Sequence, residues 1–86
     1  MAEYLVAFGS THAALSFEEA FGEQGSLVPV PPRVRAGCGM ALLFHESSDR
    51  EAARVACDAA RGLGIEGQID GLFAKESDFY RRVAMG

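Results

Sequence analysis

The sequence predicts an α+β fold of the ferredoxin-like type, a βαββαβ sandwich with two helices on one face of an antiparallel sheet. Three observations predict it: four short apolar segments, two amphipathic segments with helical spacing, and the alternation of the two kinds along the chain. With 86 residues, 49% of them hydrophobic, the chain has enough apolar side chains for one modest core. We therefore expect one domain over residues 1–86, with its core at residues 3–74 and a tail at 75–86.

The first strand is predicted at residues 3–8, a short apolar run rich in strand-forming residues. Ser10 or Thr11 can then cap a helix that runs to about Gln24 and is closed by Gly25. The apolar residues of this segment share one helical face: Ala13, Ala14, Phe17, Ala20 and Phe21. The segment is therefore predicted to pack on the sheet along that face.

Two further strands are predicted in the middle of the chain. The second, at residues 27–30, contains Pro29, which favours an edge position because proline lacks a backbone donor. The third, at residues 40–44, is apolar at every position, which favours a central strand buried on both faces.

The second helix is predicted to begin after Ser48, which has capping-box spacing to Glu51, and to end at Gly62 or Gly64. Its apolar side is formed by Ala52, Val55, Ala56, Ala59, Ala60 and Leu63. A fourth strand is predicted at residues 68–74. The tail at 78–83 can form either a helical turn or a strand added at a sheet edge.

The composition excludes several classes of function. The net charge of −4 is unlike the concentrated positive field of nucleic-acid-binding proteins. The apolar runs are too short to span a bilayer, and no basic region precedes an apolar stretch at the N-terminus, as a secretory signal would require. We therefore expect a cytoplasmic protein with no nucleic-acid or membrane partner, no cofactor, and two free thiols, Cys38 and Cys57.

The segment around Cys38 carries the strongest chemical signal in the chain. Gly37 and Gly39 flank this cysteine, so a partner can approach the sulfur closely. Arg33 and Arg35 lie shortly before it, and guanidinium groups favour the thiolate, the form of cysteine that attacks or binds metal. The alternative interpretation is a glycine-rich turn in which the cysteine packs as a small apolar residue.

The predicted topology brings a second segment to this cysteine. If the first and third strands are neighbours in an antiparallel sheet, Ser10, Thr11 and His12 lie beside residues 37–39. The first helix begins there, and its unpaired N–H groups carry roughly half a positive charge. We therefore predict a site in which Cys38 reacts. Its binding residues would be Gly37, Gly39, Arg33, Arg35, Ser10, Thr11 and His12.

A hydrolase is not predicted. His12 and His45 are the only histidines, and His45 is expected at the opposite end of the sheet from Cys38. No oriented set of nucleophile, base and acid is visible. His12 at the start of a helix can equally be a surface residue or a backbone-capping partner.

The order of four sequence motifs resembles the DUF3343 family, whose members are described as selenium/sulfur carrier protein-like. The motifs are residues 4–8, Ser-Thr-His at 10–12, Val-Pro-Val-Pro at 28–31, and Cys-Gly-Met-Ala-Leu at 38–42. The resemblance covers most of residues 3–74 and places the family cysteine at Cys38. Where the family carries serines before the cysteine, this chain has Val34 to Gly37.

The resemblance implies a carrier that holds sulfur or selenium as a persulfide-type adduct on Cys38, with a donor protein and an acceptor protein as partners. The small size and the absent catalytic set favour a carrier over an enzyme. A second interpretation is a non-catalytic binding or regulatory module, which can form a homodimer through its sheet. A third is a soft-metal chaperone that uses Cys38 and Met40, although the usual CxxC loop is missing.

Overall fold

A computed structural model describes residues 1–34, 37 and 39–85 of the chain. Its helices and strands are β1 (Ala2–Phe8), α1 (Thr11–Phe21), β2 (Gly25–Pro29), β3 (Met40–Glu46), α2 (Asp49–Leu63), β4 (Ile69–Lys75) and β5 (Tyr80–Val83). All strand pairs are antiparallel, and the sheet has the order β2-β3-β1-β4-β5.

The order of the first four strands is that of a ferredoxin-like sheet, so the predicted fold class is confirmed. β1 lies between β3 and β4. Its residue Ala7 pairs with Ala41, so the C-terminal end of β1 lies beside the N-terminal end of β3, as predicted. Pro29 lies in β2, at one edge of the sheet, where its missing donor disturbs no strand pairing.

The main core lies between the sheet and the two helices. Alternate residues of β1, namely Tyr4, Val6 and Phe8, are buried in one cluster with residues from both helices. The helices contribute small side chains to it: Ala13 and Ala14 from α1, and Ala52, Ala56 and Ala60 from α2. Aromatic rings fill the remaining space, as in the edge-on contact of Phe8 with Phe17 at 5.0 Å between ring centroids. Each such buried ring contributes about 1.5–3 kcal/mol to stability.

α1 ends earlier than the sequence predicts. Its last residue is Phe21 rather than Gln24, because Gly22 takes a positive φ of 57° and residues 22–24 form a 3-10 turn before β2. Ala20, predicted on the apolar face, is exposed. At the other end, the Ser10 side chain caps the helix, with its Oγ accepting a hydrogen bond from the Ala13 N–H at 3.2 Å.

α2 begins as predicted, with the Oγ of Ser48 accepting from the Glu51 N–H at 3.2 Å. It ends at Gly64, whose φ of 70° is in the left-handed region. Leu63, predicted on the apolar side, is 39% exposed, because it lies in the last turn beyond the part of the helix that covers the sheet.

The tail forms an edge strand, which is one of its two predicted forms. β5 pairs with β4 from Leu72 to Lys75. Arg81 of β5 donates a 2.7 Å hydrogen bond to Asp49, the first residue of α2, and Tyr4 donates to the same carboxylate at 2.9 Å. These hydrogen bonds hold the pKa of Asp49 below its usual value. They join α2, β1 and β5.

A second apolar cluster covers the sheet face opposite the helices. It contains Leu5, Ala7, Ala41 and Phe73 from the sheet, together with Val34 from the connection between β2 and β3. Val34 is only 5% exposed, so this described residue of the connection packs on the sheet face rather than extending into solvent. No helix in the described part of the chain is long and apolar enough to cross a membrane.

Candidate functional site

The predicted reactive residue, Cys38, lies outside the described residues, as do Arg35 and Ala36. Its two chain neighbours, Gly37 and Gly39, are described and exposed. The described part of the site therefore consists of the residues around these two glycines.

Gly37 packs against the end of β1. A Cβ atom added to Gly37 would lie 2.8 Å from the carbonyl oxygen of Gly9 and 3.2 Å from the Gly9 Cα. Real Cβ atoms do not approach backbone atoms so closely, so only glycine fits at position 37 in this arrangement. The residue before Cys38 thus lies against the residue that precedes the cap of α1.

Gly39, on the other side of Cys38, is held differently. Its carbonyl oxygen accepts a 3.0 Å hydrogen bond from the N–H of Val30, next to the end of β2. A Cβ atom added to Gly39 would have no described atom within 4 Å. The two glycines predicted as site residues therefore differ, since one fills a close backbone contact and the other borders open space.

A network of hydrogen bonds fixes the backbone that Gly37 touches. The Gly9 N–H donates to the Gln68 carbonyl oxygen at 2.7 Å. The Ser10 hydroxyl donates to Oε1 of Gln68 at 2.5 Å while its Oγ also accepts from Ala13. The predicted site residue Ser10 is therefore both the cap of α1 and a link to the residue before β4.

Thr11 and His12 form the first turn of α1 and are exposed. The N–H groups of a first helical turn have no partner within their own helix and attract negative charge. The structure thus brings Ser10 and the first turn of α1 to the same end of the sheet as Gly37. The roles predicted for Thr11 and His12 at the site stay predictions.

Arg33 bonds to the turn between β4 and β5. Its guanidinium donates a 3.0 Å hydrogen bond to the carbonyl oxygen of Asp78, in the turn between β4 and β5. That turn follows Lys75, which forms an ion pair of 3.3 Å with Glu3 near the start of β1. Gly37, in contrast, lies beyond the other end of β1, and a strand of this length spans roughly 20 Å. The predicted contact between this guanidinium and the cysteine is therefore not part of the described geometry.

Asp70 is a residue of the site that the sequence analysis missed. Its Oδ2 accepts a 2.8 Å hydrogen bond from the N–H of Gly37. A sequence signal existed, because aspartate is depleted in strands and a following glycine, here Gly71, is typical of a β-bulge. The apolar residues at alternate positions, among them Ile69 and Phe73, predicted a regular strand instead.

The described residues contain no group of three or more histidine, cysteine, aspartate or glutamate side chains arranged to hold a metal ion. What the described geometry provides is a pair of exposed glycines, the start of a helix and one carboxylate.

Comparison with known proteins gives one match. A family model described as "Putative Se/S carrier protein-like" matches residues 3–69, well over half of the chain. The resemblance to the DUF3343 family, which the sequence motifs indicated, is thereby confirmed. Comparisons with curated proteins and with solved structures gave no match.

Proposed function

This chain belongs to the Se/S carrier protein-like family, and we propose that it carries sulfur or selenium on Cys38 and passes the atom from a donor protein to an acceptor protein. The observation that carries the proposal is the family match, which spans both the segment containing Cys38 and the start of α1. Because the thiol must stay reduced between transfers, a reducing compartment such as the cytoplasm suits this function.

The placement of Gly37 supports a reactive thiol at the next position. Gly37 lies against Gly9, directly before Ser10 and the first turn of α1. A helix start favours anionic groups, and a thiolate near one has a lower pKa than a free thiol. In this proposal Thr11 and His12 donate hydrogen bonds to the Cys38 thiolate, Ser10 holds the start of α1 in place through Gln68, and Arg35 adds positive charge.

Arg33 takes a different part in the proposal. Its hydrogen bond to Asp78 and the burial of Val34 hold the connection between β2 and β3 on the sheet face. Arg33 therefore stabilises the segment that leads to Cys38 rather than the thiolate itself.

The transfer needs no cofactor or added oxidant. The Cys38 thiolate attacks the outer sulfur of a donor persulfide, the sulfur–sulfur bond of the donor breaks, and the donor leaves as a thiolate. Cys38 then holds the outer sulfur with its proton, as a persulfide. A thiolate of the acceptor attacks the same outer atom and releases Cys38 as a thiolate. An outer selenium atom follows the same two steps.

The test is to load the protein with a cysteine desulfurase and cysteine and to measure the intact mass without reductant. We expect a gain of one sulfur atom in the wild type and in Cys57→Ser, and no gain in Cys38→Ser. Cys57 is the matched control, because it is half-buried on α2 and its Sγ donates to the Met85 carbonyl oxygen at 2.8 Å. An equal gain in Cys38→Ser, or no gain in the wild type, would contradict the proposal.

A further inference from the structure

A β-bulge in the pairing of β1 with β4 sets Asp70 apart from its neighbours. Ala7 pairs with Gly71 and Phe8 pairs with Ile69, so Asp70 is an extra residue with no partner on β1. A bulge interrupts the alternation of side chains and turns the extra residue in a new direction, and bulges are frequent beside functional sites. The bulge explains how a residue of β4 can reach the segment before β3.

The Asp70 carboxylate bonds to the backbone next to the cysteine. Its Oδ2 accepts from the Gly37 N–H at 2.8 Å, and a Cβ on Gly9 would lie 3.5 Å from its Oδ1. The carboxylate thus lies alongside the contact between Gly37 and Gly9. A hydrogen bond to a charged acceptor is stronger than one between neutral groups.

Arg82 stabilises the bulge from the adjacent strand. Its Nη1 donates to the Asp70 carbonyl oxygen at 3.3 Å, and its guanidinium lies over the Phe73 ring at 5.0 Å from the centroid. The space above Gly71 is filled by the same guanidinium, since a Cβ there would lie 2.8 Å from Nη1. The backbone on the C-terminal side of Asp70 is therefore held in place.

We propose that Asp70 is a positioning residue of this site: its carboxylate holds the Gly37 N–H against the end of β1 and so fixes the backbone of the residue that precedes Cys38. The inference rests on the proposed function only in taking Cys38 as the reacting residue. It assigns Asp70 no contact with the transferred atom.

The test compares Asp70→Ala with Asp70→Asn, using hydrogen exchange of the Gly37 amide and the rate of Cys38 alkylation by iodoacetamide. Asparagine keeps an oxygen acceptor, whereas alanine removes it. We expect Gly37 exchange to rise at least about tenfold in Asp70→Ala, which corresponds to the loss of about 1.4 kcal/mol of protection. The alkylation rate should change severalfold with it. Asp70→Asn should keep the Gly37 amide protected.

Asp78→Ala is the matched control, since Asp78 is an exposed aspartate in the β4–β5 turn and it bonds to Arg33 through its backbone carbonyl oxygen, which alanine keeps. The exchange of the Val6 amide, in the centre of the sheet, reports whether each variant is folded. The inference is overturned if Asp70→Ala leaves Gly37 exchange and Cys38 alkylation as they are in Asp78→Ala. Alkylation needs no sulfur cargo, so a failed loading experiment and a failed positioning experiment are distinguishable.

Discussion

At the scale of single residues, the site depends on two glycines that look alike in sequence and differ in structure. Gly37 occupies a backbone contact with Gly9 that leaves no room for a side chain, whereas Gly39 borders space without described atoms. The sequence predicted both as site residues because both flank Cys38. It could not separate them, because the difference arises from a contact between residues far apart in the chain.

We predict that Gly37→Ala and Gly39→Ala have different effects. The new Cβ at position 37 meets the Gly9 carbonyl oxygen at 2.8 Å, and backbone atoms cannot move aside cheaply. Gly37→Ala should therefore lower the free energy of unfolding by about 1–3 kcal/mol and slow sulfur loading of Cys38 severalfold. Gly39→Ala should stay within about 0.5 kcal/mol of the wild type. Urea denaturation and intact-mass loading measure the two effects.

Equal destabilisation by the two alanines would contradict the close contact of Gly37 with Gly9. Both variants carry the same side chain one residue away from Cys38, so an effect of alanine on chain flexibility alone would appear in both.

At the scale of elements, the sequence predicted the N-terminal caps of the two helices better than it predicted the C-terminal end of α1. Ser48 was predicted as a cap and Ser10 was one of two candidates with Thr11, and both serines accept a hydrogen bond from a residue three positions later. The early end of α1 at Phe21 was not predicted, because the positive φ of Gly22 depends on how the chain turns into β2. The bulge at Asp70 was missed for a similar reason, since a bulge is defined by its partner strand.

We predict that Ser10→Ala and Ser48→Ala cost similar stability and differ in their effect on the site. Each removes one side-chain cap, so each should lower the free energy of unfolding by about 1 kcal/mol. Only Ser10 also bonds to Gln68 beside the Gly9–Gly37 contact. Ser10→Ala should therefore change the rate of Cys38 alkylation, and Ser48→Ala should leave it as in the wild type.

Denaturation curves and alkylation rates of the two serine variants, measured in the same buffer, check this expectation. If both variants change the alkylation rate by the same factor, Cys38 responds to overall stability and the start of α1 has no particular influence on it.

At the scale of the whole molecule, the strand order followed from the sequence because alternating strands and helices with short connections leave few arrangements. The position of the residues after β2, in contrast, could not be predicted from the sequence. Arg33 was expected beside Cys38 from its proximity in sequence, and this stays a prediction because Cys38 lies outside the described residues. The Arg33 guanidinium bonds to the Asp78 carbonyl oxygen in the β4–β5 turn, and Val34 is buried on the sheet face. Sequence spacing cannot show that a connection crosses a sheet, because this depends on which apolar face is left uncovered.

The most direct measurement of the central claim follows the cargo off the protein. Wild-type protein carrying one extra sulfur is mixed with one equivalent of glutathione, and the intact masses of both are followed with time. The account predicts that the protein returns to its unloaded mass while glutathione gains one sulfur atom, in the wild type and in Cys57→Ser alike. A sulfur that stays on the protein, or that leaves Cys38→Ser in the same way, would contradict it.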